Sequence, residues 1–309
     1  MNKMNWRNSI AILVLGLSAT TFAQSNLLNA KTPDQIGKKT EAELSADNDK
    51  PLPYGYVHDR DILMGKRIWE YVDLDERVNF PLYFPVEGDV MSSPDRRPLY
   101  NVLISGIKDG SITEVYDSSY FTTKKTLKEI EASLFKVDTS DVGLEQMNED
   151  IEAYRNGSKK ISEEYIRKTE LEAIDVNAYR IVGYWYFDKR QGELKYRMLG
   201  ICPVVPDVQV YKDNPDTDEM VELFWVYFPA ARDVLHKSKA FNNRNSAMPF
   251  SFDHVLNARR FGAVIYQEEN VYADRQIKDY LKENAQMQLL ESERVKEKIR
   301  DFEQDMWNY

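Results

Sequence analysis

The side chains that could do chemistry are few and scattered. The three histidines, His58, His236 and His254, lie far apart, and none has a second histidine at the helical spacing that would set two imidazoles on one metal. The single cysteine, Cys202, excludes an intramolecular disulfide and any zinc site built from several thiolates. The acidic run Asp213-Asn214-Pro215-Asp216-Thr217-Asp218-Glu219 suggests calcium at first sight. It lacks the central glycine and the distal bidentate glutamate of a calcium loop, and reads as a solvated turn. Gly65-Lys66 has neither the upstream glycine nor the following hydroxyl of a phosphate loop, and His-Glu-x-x-His, Gly-x-Ser-x-Gly and Cys-x-x-Cys are absent. Carboxylates are so numerous that no pair stands out as acid and base. No catalytic residue, cofactor or metal ion is nominated.

Two features remain. Cys202 sits in the apolar, strand-like run Leu199 to Val205. It reads as a buried small hydrophobe or, if the protein is exported, as half of an intermolecular disulfide in an oligomer. Nothing basic lies beside it to make it a nucleophile. Between Pro229 and Arg260 the cations Arg232, Lys237, Lys239, Arg244, Arg259 and Arg260 face only Asp233 and Asp253. This stretch is either a solvated face or a basic surface that meets an acidic neighbour.

These residues belong to a chain of 309, with 41 Lys plus Arg against 51 Asp plus Glu and a net charge of −10. Such a balance suits a soluble globular protein and makes general nucleic-acid binding a poor expectation, since phosphate neutralisation needs clustered cations. No apolar run approaches the roughly 20 residues that span a bilayer. Residues 1–23 predict a secretory leader: Lys3 and Arg7 precede the apolar Ile10 to Leu17, and Thr21-Phe22-Ala23 sets small residues where signal peptidase cuts. Removing Lys3 and Arg7 moves the charge from −10 to −12. Gln24 follows the cut rather than a cysteine, so no lipid anchor is expected.

Residues 24–53 are polar and proline-bearing, and read as an extended arm that is either a linker or ordered by a neighbour. The globular region is expected over 54–267. Asn79 to Pro85 reads as an extended aromatic run at a sheet edge or in a fixed loop. Leu99 to Ile107 reads as a helix or buried strand, and Ile112 to Tyr116 as a short strand. Thr122 and Thr123 could cap a helix carrying Leu127, Ile130 and Leu134. A long loop or lobe boundary is expected at 138–163. Ile174 to Asp188 and Leu194 to Val205 predict a hairpin, Glu222 to Pro229 a third strand, Ala230 to Phe241 and Phe252 to Arg260 helices, and Gly262 to Tyr266 a further strand. From Glu268 to Tyr309 there is no Pro or Gly, and Val295, Ile299, Phe302 and Met306 form a helical stripe. That helix packs on its own domain or on a partner. The fold class is therefore α+β, mainly antiparallel, with an N-terminal arm and a C-terminal amphipathic helix.

Several of these runs together resemble a known family. They are Asp73 to Pro85, Gly183 to Lys189, Leu199 to Pro203, Phe224 to Pro229, Leu290 to Lys296 and Phe302 to Trp307. Over nearly the whole chain beyond the leader they are similar to GldN, also called PorN, of Bacteroidota gliding motility and type IX secretion. The resemblance implies a periplasmic subunit that forms rings with the lipoprotein GldK/PorK under the outer membrane. It also implies contact with GldM/PorM, which with GldL/PorL forms the inner-membrane motor. Membrane association would then be indirect, through the lipoprotein. For a ring, two complementary faces are needed; the basic stretch 229–260 and an acidic surface such as 138–164 are the expected pair. The competing expectation is a periplasmic glycan-binding protein or cell-wall enzyme with Trp69, Trp185 and Trp225 lining a cleft.

Overall fold

The computed structural model describes residues 50–86, 97–140, 163–208, 220–240, 250–282 and 284–307. The leader, almost all of the arm, the acidic run, most of 138–163 and Arg244 lie outside them.

The chain is α+β. Its first half comprises β1 (Ile62–Asp73), α1 (Phe80–Tyr83), α2 (Leu99–Lys108), β2 (Val115–Tyr116), α3 (Leu127–Leu134), β3 (Phe135–Thr139) and β4 (Ile166–Glu170). Next come β5 (Ala178–Asp188), β6 (Glu193–Pro206), β7 (Met220–Glu222), β8 (Trp225–Tyr227), α4 (Phe228–Lys237), β9 (Lys239–Ala240) and β10 (Phe250–Ser251). The remainder is α5 (Phe252–Asn257), β11 (Val264–Glu268), α6 (Ile277–Tyr280) and α7 (Ala285–Trp307). One seven-stranded sheet runs β11-β1-β5-β6-β8-β2, with β7 also paired to β6, and every pairing in it is antiparallel. The β3–β4 and β9–β10 pairs stand apart from it.

Alternation along the strands divides the sheet into two faces. Val72, Tyr179, Ile181 and Ile201 share one face and pack into the main core with residues of α2, α4 and α5, such as Leu103, Leu235 and Leu256. Further along that face Ile68 meets Ile265 of β11 and Val295 and Ile299 of α7. The opposite face buries Trp69, Val182, Cys202 and Trp225, with Phe121 and Tyr266 packed against them.

The expected hairpin is present as β5 and β6, joined through Asp188 to Glu193. Other elements correct the reading. Asn79 to Tyr83 is helical rather than extended. Asn79, fully buried, donates to the Asp73 and Gly262 carbonyls and accepts from Gly262 N–H, and Pro81 occupies the first turn, where a missing N–H costs nothing. The cap of α3 is Thr126, not Thr122 or Thr123, in a reciprocal box with Glu129. The third strand is two short ones, because Leu223 and Phe224 both pack into the main core, and two successive side chains on one side break the alternation. Phe228-Pro229 opens α4 instead of ending a strand. In the C-terminal segment α7 starts at Ala285, not Glu268. Asn284 Oδ1 accepts from Met287 N–H, and upstream Asn270 Oδ1 folds a turn onto Tyr272 N–H.

Candidate functional site

The basic stretch splits into inward and outward groups. Arg232 on α4 is nearly buried and makes two hydrogen bonds to Asp253 on α5, at 2.8 and 3.1 Å. Its guanidinium also lies 4.3 Å from the centre of the Tyr54 ring, and Tyr54 donates to Asn257 at 2.6 Å. Arg232 therefore ties the start of the globular region to two helices. Arg259 forms a two-pronged pair with Glu70 of β1, at 2.6 and 2.8 Å. Neither arginine is available to a partner as a free charge, because nearly buried Arg232 is held by Asp253 and half-buried Arg259 by wholly buried Glu70. Lys237 and Arg260 are exposed, Lys239 is half-buried, and Arg260 lies 4.5 Å over the Phe250 ring. Among the described residues, the cations that composition groups as one face are thus two in structural ion pairs and three, Lys237, Lys239 and Arg260, nearer the surface.

Glu70 is wholly buried and also accepts from Tyr196 Oη at 3.2 Å. Tyr196 lies directly over Gly183, where a Cβ would fall 2.1 Å from the phenol oxygen, so only glycine permits this approach. The Tyr196 hydroxyl is pushed well above its ordinary value, first by burial and then by the Glu70 charge. Cys202 is also wholly buried, donating to the Pro203 carbonyl at 3.4 Å, and burial pushes its thiol up. The thiol is covered by Trp69, Val182 and Trp225 on that face of the sheet.

Trp69 and Trp225 are buried in the sheet and Trp185 is half-buried beside Tyr196, so the expected aromatic cleft is not formed by them. Their apolar surface is spent on packing. A small cavity of about 180 Å³ does bring Asp61 and Asp188 together with Tyr56. It is below the usual size of a small-molecule site, and Asp188 already accepts from Arg190 N–H at 3.0 Å. The histidines do not converge: His58 packs on Tyr56, His254 stacks on Phe250, and His236 lies 4.0 Å from Asp253. Among the described residues no group of three or more His, Cys, Asp or Glu is placed to hold a metal, and no helix is long and apolar enough to cross a membrane.

The surface feature that sequence reasoning missed is at α1. Phe80 and Phe84 are exposed and meet edge to face at 5.2 Å, and Phe84 meets Tyr83 at 4.7 Å. Tyr83 donates to the carbonyl of Ile174, itself an exposed side chain. Beyond Phe84 the surface dips into a groove of about 460 Å³, lined by Pro85 and Val86, by Tyr100 and Ile104 of α2, and by Leu171 and Ala173. The proline-bounded aromatic run was the available clue. Its helical winding, which turns Phe80 and Phe84 to one side, comes from the long-range bonds of Asn79 to Gly262.

Residues 57–308 match a family model described as gliding motility associated protein GldN. No curated protein matches the chain.

Proposed function

The chain belongs to the GldN family, a component of gliding motility and type IX secretion, and from that premise we propose that it is a structural, non-catalytic subunit of that machine. The family match over residues 57–308 carries this reading. The protein is exported behind a leader cut after Ala23 and works in the periplasm at the inner face of the outer membrane. There it forms a ring with a GldK/PorK-like lipoprotein and meets a GldM/PorM-like motor subunit. Stable membrane attachment takes acyl chains or a spanning segment, and the lipoprotein supplies it. The work of such a subunit is recognition, through apolar anchors and charge complementarity between unlike faces. Exposed Lys237 and Arg260 remain available for it, whereas Arg232 and Arg259 are already paired.

The test is extraction of cell envelopes in mild detergent, followed by size fractionation and mass spectrometry. The expected result is co-elution with a lipoprotein in a large assembly, the chain beginning at Gln24. Recovery as a lone monomer would sink the reading.

A further inference from the structure

Exposed apolar side chains taken singly need no explanation, but a continuous patch with a groove does. Phe80, Phe84 and Ile174 form such a patch, and Pro85 and Ala173 carry it into the groove beside α2. The rings are held in place: Tyr83 is bonded to the Ile174 carbonyl at 3.1 Å, and buried Asn79 ties the turn to Asp73 and Gly262. Pre-set aromatic anchors lose little freedom on binding, which is the property of interface hot spots.

The charge around the patch has a sign. Exposed Glu170 and Glu172 line the groove, and exposed Asp75 and half-exposed Asp175 lie near Tyr83. The Tyr83 hydroxyl is pushed up by burial and then by the carboxylates of Asp75 and Asp175, and the Tyr83 ring touches Phe84. Of the two cations that line the groove, Lys108 is engaged with Glu170 at 3.5 Å, which leaves Arg97 against Glu172 there and Asp75 and Asp175 as the excess charge beside the rings.

We propose that the Phe80–Phe84–Ile174 patch and its groove dock a protein segment that carries an apolar anchor flanked by Lys or Arg. The anchor enters the groove against Ile104 and Ala173, the two phenylalanine rings cover it, and its cations face Asp75 and Glu172. The inference rests on the reading of the chain as a subunit of an assembly, and names the chemistry of one partner contact.

The test uses the full chain and two fluorescent peptides, one with a Phe-Leu anchor flanked by lysines and one with the same anchor flanked by glutamates, read by anisotropy. The lysine peptide should bind at least about tenfold tighter, and Phe80→Ser/Phe84→Ser should lose about tenfold. Asp75→Lys/Glu172→Lys should lose as much, while Glu293→Lys/Glu297→Lys on α7, with the same change in net charge, should not. All these positions are exposed, and circular dichroism melts check that each variant folds. Equal loss in both charge variants, or none in the ring variant, overturns the proposal. So does concentration-dependent self-association abolished by Phe84→Ser, which would make a second copy the occupant. Peptide binding that appears only when residues 87–96 are replaced by a Gly-Ser linker of equal length overturns it too, by making that linker the occupant. Envelope extraction keeps the two ideas separate. A lone wild-type monomer ends the assembly reading, whereas an intact assembly from the ring variant ends only this contact.

Discussion

Two adjacent arginines show how far a residue's role depends on what surrounds it. Arg259 and Arg260 are indistinguishable by composition, yet Arg259 reaches inward to Glu70 and Arg260 lies on the surface. Arg259 adopts φ +50°, a left-handed conformation that costs a bulky residue of order 1–3 kcal/mol. Its compensation is the pair with Glu70 and the rings around the guanidinium, Tyr196 at 4.1 Å and Trp185 at 5.3 Å. Arg259→Ala leaves a buried carboxylate without its cation and should lower stability by about 3–5 kcal/mol in urea denaturation. Arg260→Ala should stay within about 0.5 kcal/mol of the parent. The double variant Glu70→Gln/Arg259→Met should recover part of the loss, because no lone charge is left behind. An Arg259→Ala midpoint equal to that of Arg260→Ala would show that the buried pair is not holding the fold. The split also explains why the basic stretch was legible as composition and not as a site. The carboxylate that claims Arg259 lies 189 residues away in the chain.

At the scale of elements, α7 closes one face of the sheet through both apolar and polar contacts. Val295 and Ile299 cover Ile68 and Ile265, Ser292 Oγ accepts from the Ile265 N–H at 2.8 Å, and Lys296 donates to the Ala263 carbonyl. Ile299→Ala should cost about 2–5 kcal/mol as a core truncation, and Ser292→Ala about 1–3 kcal/mol by orphaning a buried N–H. Hydrogen exchange at Ile265 separates the two: Ser292→Ala should speed it more than its stability loss alone requires. Unchanged exchange there would mean that the serine is a passenger. The stripe that predicts this helix is readable because one face is apolar and the other charged. Its start was not, since the lack of proline and glycine over 268–284 conceals turns made by Asn270 and a capping box of Gln276 with Asp279. The same logic holds elsewhere. Hairpin β5–β6 was legible from local pattern, while α1 was not, because Asn79 takes its partners from β1 and from Gly262. The docking groove needs α2 and the segment after β4 side by side, a proximity that no local pattern carries.

At the scale of the whole molecule, the tyrosines set the response to alkali. The chain has 19 of them, and the hydroxyls of Tyr54, Tyr71, Tyr100, Tyr179, Tyr196 and Tyr266 are all pushed above the ordinary value, with burial the leading cause in each. A raised native pKa means that the folded chain keeps protons the unfolded chain releases. Stability therefore stays level, as far as these groups decide it, below the ordinary tyrosine value of 10.0 and falls as pH rises beyond it. Tyrosinate absorbance should titrate in two classes, the second appearing together with the loss of ellipticity. Repulsion offers a rival cause, because a chain of net charge −10 gains further negative charge in alkali. Salt distinguishes them: repulsion between exposed charges is screened at 0.5 M, where the Debye length is roughly half its value at 0.1 M, while the penalty for ionising a buried phenol is not. The alkaline transition should keep its midpoint in 0.5 M salt if burial is the cause. A midpoint that climbs with salt, or buried tyrosines that ionise with the fold intact, would place the alkaline limit in surface charge instead.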